Sequence, residues 1–182
     1  GEGFAVCVAG AVRCLCAGQD LCYGNQNNGH GPPDLGQTLN DHFTPLVRCI
    51  TMLPMPVICA VNGVAAGAGA NLALACDVVL AADTARFIQA FSKIGLVPDA
   101  GGSWILPRRL GMARAMGLAL TGAPLMATQA AEWGLRWKSY AAAELRREGH
   151  AIAARAGGGP TSALACRQNW QEHARETDFG GE

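Results

Sequence analysis

Apolar residues along the chain fall into two kinds of run, and their alternation predicts the elements. Phe4–Ala9, Val57–Val61 and Asp77–Ala82 are short, nearly unbroken apolar stretches rich in small and β-branched side chains, the pattern of strands buried on both faces. Ala85–Gln89 is a further strand candidate. Between them, Leu39, Phe43, Leu46, Val47 and Ile50 recur at helical spacing and predict a helix over Leu39–Met52, stopped by Pro54 and Pro56. The stretch "VAAGAGANLALAC" turns helical after its glycines, and Leu106–Leu120 reads as one helix. "TGAPL" is a turn leading into a helix at Ala127–Trp133. Two later helices, Ala142–Ala156 and Thr161–Thr177, are split by "GGGP", while Gly24–Gly36 is dense in turn formers and reads as an exposed loop. Strands alternating with helices imply an α/β architecture.

Composition narrows the class. Hydrophobic residues at 50% against 15% charged argue for one packed core and against disorder. Fourteen basic and fourteen acidic side chains cancel, which removes the electrostatic ground for binding nucleic acid or an anionic membrane. Arg108, Arg109 and Arg114 could still form a small basic patch. Val57–Cys76 is uncharged and long enough to span a bilayer, but Asn62, Asn71 and three glycines interrupt it, so a buried strand, turn and helix is the expectation. No basic, apolar leader is visible, so reduced thiols and a cytoplasmic location are expected. The eight cysteines form no C-x-x-C pair and the four histidines show no ligand spacing, so no metal site is expected.

Two glycine-bearing turns follow strands: "CAGQDL" (Cys16–Leu21) and "NGVAAGAGANL" (Asn62–Leu72). Both fail as phosphate loops, because Gly63 and Gly67 lead to no lysine, and Gly67 and Gly69 are followed by Leu72. Such turns can instead aim two backbone N–H groups at an oxygen that becomes negative during reaction. A carboxylate nearby would complete a proton-transfer site, and Asp99, in "VPDAGG", is the candidate. Asp99 could equally be an ordinary turn residue, Asp20 a helix cap, Asn71 a satisfier of nearby backbone, and Asp77 structural. Trp104, Trp133, Trp137 and Trp170 read as core or subunit contacts. No Gly-x-Ser-x-Gly elbow is present.

"CAGQDL", "PVICAVNGVAAGAGANLALACDVVLAAD" and "FSKIGLVPDAGGSWILPRRLGMARAMGLALTG", in that order, resemble the crotonase (enoyl-CoA hydratase/isomerase) superfamily from about Phe4 to Trp137. The similarity implies a crotonase-like spiral of ββα units with C-terminal helices, incomplete here: a core over residues 1–140 without the first strands, and a partial helical region over 141–182. It implies an acyl-CoA substrate, no cofactor beyond the coenzyme A carried on that substrate, and a homotrimer or dimer of trimers. By resemblance, Ala17 and Ala68 supply the oxyanion-hole N–H groups. Cys16, Ala17, Gly18, Gln19, Asp20 and Leu21 follow the CoA end, with Gly67, Ala68 and Gly69 in the second turn. The positions of the two hydratase glutamates hold Asn71 and Phe91, whereas Asp99 stands where isomerases of the family place a carboxylate.

The resemblance therefore implies an acyl-CoA isomerase, of the 1,2-epoxyphenylacetyl-CoA or Δ3,Δ2-enoyl-CoA kind. Its alternatives are an enoyl-CoA hydratase, or a non-catalytic acyl-CoA-binding or inactive fragment. Several positions depart from the family pattern. Val12, Cys14 and Leu15 replace glycines and a phenylalanine, and Met55 replaces a lysine. Arg136 replaces an apolar residue, and the expectation is that its segment is exposed or disturbed.

Overall fold

The computed structural model describes residues 4–11, 13–18, 35–158 and 162–179. In chain order the strands are β1 (Val6–Ala9), β2 (Cys14–Cys16), β3 (Val57–Val61), β4 (Val64–Ala66), β5 (Val78–Ala82), β6 (Arg86–Ile88), β7 (Pro124–Met126) and β8 (Lys138–Tyr140). The helices are α1 (Leu35–Thr38), α2 (Thr44–Met52), α3 (Ala68–Ala75), α4 (Gly102–Leu110), α5 (Met112–Thr121), α6 (Ala127–Glu132), α7 (Ala142–Gly157) and α8 (Ser162–Phe179). A π-helical segment, Leu39–Phe43, joins α1 to α2, and a 3-10 turn spans Ala90–Ile94.

From β1 to β6, successive strands alternate between two sheets. β1, β3, β5 and β8 lie side by side, all parallel, with Val6 opposite Val57, Ile58 opposite Val78 and Leu80 opposite Lys138. β2, β4 and β6 form the second sheet in parallel, and β7 closes it antiparallel to β6. Each turn of the chain thus lays one strand in each sheet and then a helical segment, and the next turn adds parallel neighbours. This is the spiral of ββα units that the resemblance implied. Where the chain swings from β3 to β4, Gly63 passes so close to the backbone that a Cβ would stand 2.0 Å from the Arg13 carbonyl oxygen. Only glycine fits that corner.

The continuous apolar run Val57–Val61 is buried at every position, because the first sheet is covered on both faces. On one face α7 lies close, and a Cβ on Gly149 would come within 3.2 Å of Cys7 Sγ and 3.5 Å of Ala60 Cβ. α3 adds Ala70, Ala73 and Leu74 to the same core. Asp77 fastens one end: its Oδ2 accepts from Val57 N–H at 2.8 Å, and its own N–H donates to the Val57 carbonyl at 2.9 Å. Arg167 on α8 binds the same carboxylate at 2.6 Å and donates to the carbonyls of Ile50, Thr51 and Leu53 at the end of α2.

Several expectations are corrected. Leu106–Leu120 is two helices, not one: Gly111 takes φ +76°, ψ 156°, outside helical space, and the chain turns there. "TGAPL" contains part of a strand, β7. The arginines form no common patch: Arg108 lies over the Trp104 ring at 4.1 Å and Arg114 over Trp133 at 4.9 Å, while Arg109 turns inward to the Cys76 and Leu135 carbonyls. Arg136 itself is not exposed, although Gly134, Trp137 and Lys138 beside it are. Leu135 and Arg136 are buried, and Arg136 Nε donates to the Ala127 carbonyl at 2.6 Å. Of the two alternatives for Trp137 and Trp170, core or subunit contact, exposure rules out the core. Among the described residues, no helix is long and apolar enough to cross a membrane.

Candidate active site

The site is organised around the first turn of α3. Gly67 precedes it at φ +53° and its N–H donates to the Ile88 carbonyl at 2.9 Å, which ties the start of the helix to the end of β6. N–H groups in a first helical turn have no partner within the helix and point out along its axis. Ala68 and Gly69 occupy that turn. Gly69 is pressed against the other turn: a Cβ there would lie 2.3 Å from the Cys16 carbonyl oxygen. A Cβ on Gly18 would lie 3.3 Å from the Ala66 carbonyl and 3.9 Å from Ala68 N. Cys16, Ala17 and Gly18 are therefore beside Gly67, Ala68 and Gly69, and no bulkier residue at position 69 would allow it. Gln19, Asp20 and Leu21 lie outside the described residues, as does most of the Gly24–Gly36 loop.

One helical turn further, Asn71 reaches the third corner. It is fully buried, and its Nδ2 donates to the Asp99 carbonyl oxygen at 2.8 Å. The reading of Asn71 as a satisfier of nearby backbone is thus correct, and the backbone it satisfies is that of Asp99. The Asp99 side chain is half-buried, and its Oδ1 is enclosed without a hydrogen-bond partner among the described residues. Burial pushes its carboxyl pKa up, and a bond from its own backbone N–H partly opposes the rise. Phe91 is buried, and its ring edge stands 3.8 Å from where a Gly67 Cβ would be. Exposed Ile94 and Val97 lie in the segment leading to Asp99. One residue here was not singled out from the sequence: Gln89, buried at the end of β6, whose Nε2 donates to Asn71 Oδ1 at 2.9 Å. Its only signal was an amide directly after the apolar pair Phe87 and Ile88.

A cavity of about 750 Å³ lies elsewhere, at the opposite end of α3, lined by Leu74, Trp104, Ile105, Arg167 and Trp170 among others. Asp77, Arg108 and Arg109 also line it, and the Asp77 carboxylate there is already taken by Val57 N–H and Arg167. None of Cys16, Ala17, Gly18, Gly67, Ala68, Gly69 or Asp99 reaches it.

Residues 3–178 match the enoyl-CoA hydratase/isomerase family. The chain belongs to that family. Over 131 residues it is 58% identical to a 1,2-epoxyphenylacetyl-CoA isomerase of Escherichia coli (strain K12), covering 72% of this chain and 50% of that protein. Over 165 residues it is 47% identical to a protein of Rhodobacter capsulatus named "Probable enoyl-CoA hydratase", covering 91% of this chain and 63% of that one. Among solved structures, an enoyl-CoA hydratase from Polaromonas sp. JS666 superposes with a TM-score of 0.83 at 33% identity, over 93% of this chain and 66% of that chain. The chain spans about half to two thirds of the length of these relatives.

Proposed function

We propose that the site performs acyl-CoA isomerisation through a thioester enolate. The observation that carries this reading is the convergence on α3: the helix meets the Cys16–Gly18 turn through Gly69 and the Asp99 turn through Asn71. In the proposed reaction the thioester oxygen accepts from the backbone N–H groups of Ala17 and Ala68. The Asp99 carboxylate takes a proton from the carbon beside the carbonyl, and the released electron pair moves into the enolate. Protonated Asp99 then returns the proton to another carbon of the same acyl group, so the double bond moves and nothing is gained or lost. A raised carboxyl pKa suits a group that must act as base and then as acid. Cys16–Leu21 and Gly67–Gly69 would hold the CoA end. The 1,2-epoxyphenylacetyl-CoA and Δ3,Δ2-enoyl-CoA isomerases are the proposed kinds, and the proposed assembly is a homotrimer or dimer of trimers.

A hydratase reading is favoured by the names of several relatives, including the Rhodobacter capsulatus protein and the Polaromonas structure. Water addition of the family's kind uses two glutamates, and the matching positions here hold Asn71 and Phe91, neither able to take a proton. The two readings separate in deuterated water with unsaturated acyl-CoA thioesters. Isomerisation predicts double-bond migration with deuterium uptake, abolished in Asp99→Asn. Hydroxyacyl product would establish the hydratase instead, and binding without exchange would leave neither.

A further inference from the structure

The turn that carries Asp99 is held in an unfavourable shape. Ala100 has φ +46°, a left-handed conformation that residues with a Cβ rarely adopt, and Gly101 follows at +81°. Such a shape persists where the surroundings over-determine it. Here two buried amides do so. The Asp99 carbonyl oxygen accepts from the Gly102 N–H at 2.7 Å and from Asn71 Nδ2 at 2.8 Å. Asn71 Oδ1 accepts in turn from Gln89 Nε2 at 2.9 Å. Asn71 is 0% and Gln89 3% exposed, so neither amide trades its partner for water. Gly102 leaves the room for this arrangement, since a Cβ there would stand 2.2 Å from Asn71 Nδ2. Gln89 Oε1 stays buried without a partner among the described residues. A leucine would avoid that penalty, yet only an amide can donate to Asn71.

We propose that Gln89 and Asn71 are positioning residues, a buried amide relay that fixes the attitude of the Asp99 carboxyl by pinning its backbone carbonyl. The direction of each amide follows from the geometry. Asn71 faces a carbonyl with its nitrogen, so its oxygen faces Gln89, and Gln89 has to donate. Gln89 acts on Asp99 through Asn71 alone. Without the relay, the strained turn relaxes and the carboxyl swings toward water. The proposal rests on the proton-shuttle reading of Asp99, and its test is arranged to stand apart from that reading.

The test compares wild type with Gln89→Leu, Asn71→Ala and Gly102→Ala, each checked for folding by circular dichroism. The Asp99 carboxyl is titrated by carbon-13 NMR, its signal identified by its loss in Asp99→Asn. Exchange kinetics with an unsaturated acyl-CoA are measured alongside. In the variants the Asp99 titration should move down toward the ordinary carboxylate range. Where the wild type turns over, kcat should fall roughly tenfold to a hundredfold with KM within about twofold. Gln89→Glu adds a second check: protonated, it can donate to Asn71, and ionised it cannot. The variant should therefore approach wild-type turnover at low pH and lose it as the pH rises. If one variant misfolds, the remaining ones decide. An Asp99 titration unchanged in the folded variants overturns the proposal, as does an unchanged kcat in an active enzyme. A wild type without exchange defeats the isomerase reading instead, and the titration still decides the relay.

Discussion

Asp99 and Arg136 are both ionisable groups enclosed with polar atoms unmatched, and they lead to opposite expectations. Asp99 has its pKa raised by burial, so its ionised form is the disfavoured one in the fold. As a base it works only when ionised. Exchange should therefore rise with pH through a midpoint above the ordinary carboxylate value, and Asp99→Asn should remove that limb from the profile. Stability moves the other way: Asp99 costs nothing below its unfolded pKa, and the penalty grows as pH rises through the raised folded value. Arg136 is 6% exposed, and its Nη1 and Nη2 have no acceptor among the described residues. Burial lowers its pKa, with Asp83 opposing. Removing a buried cation that lacks most of its hydrogen bonds is often stabilising. Arg136→Leu should raise the unfolding free energy by about 1–3 kcal/mol, read from urea titrations at neutral pH. A loss of similar size would mean that the guanidinium has a partner that compensates it.

Among the elements, α8 is fastened to the rest of the fold by Arg167. Arg167 spans from α8 to the Asp77 carboxylate and to three carbonyls at the end of α2, groups that a helix terminus leaves without intrahelical donors. Arg167→Ala should cost about 2 kcal/mol, since hydrogen bonds to charged groups contribute 1.5–3. Backbone amides of α8 should then exchange faster than those of α7, which hydrogen-deuterium exchange would show. Equal protection in both helices would mean that apolar packing alone holds α8. The long helices and the continuous strands were legible because burial on both faces leaves an unbroken apolar run, as at Val57–Val61, and one-sided burial leaves a helical repeat. β2, β4, β7 and β8 were not, because three residues carry no periodicity and each owes its form to a neighbour distant in sequence. The break at Gly111 was hidden for a related reason: the apolar pattern continues through it, and only the backbone angle stops the helix. At the site, Ala17, Ala68 and Asp99 were legible through family motifs. Gln89 was not, since its meaning depends on Asn71 and Asp99 lying beside it.

At the scale of the whole molecule, α5 has apolar residues on two sides. Ala115 and Leu118 face the core, while Met112, Met116 and Leu120 are 63%, 47% and 67% exposed. These three recur every fourth residue and so form one stripe along the helix. A contiguous apolar stripe on a helix whose other side is already packed marks a contact surface, because leaving it in water forfeits burial that a partner would recover. The homotrimer or dimer of trimers proposed above makes another copy of the chain the partner to test. Sedimentation at micromolar concentration should therefore give a multiple of the single-chain mass. Met116→Glu places a charge in the middle of the stripe and should shift the distribution toward the single chain. The dissociated protein should still be folded by circular dichroism but with a lower unfolding midpoint, since the stabilisation by assembly is lost. The substitution touches no residue of the site, so it also separates assembly from catalysis. If wild type sediments as one chain and Met116→Glu changes nothing, α5 is no interface and the site must work within a single subunit.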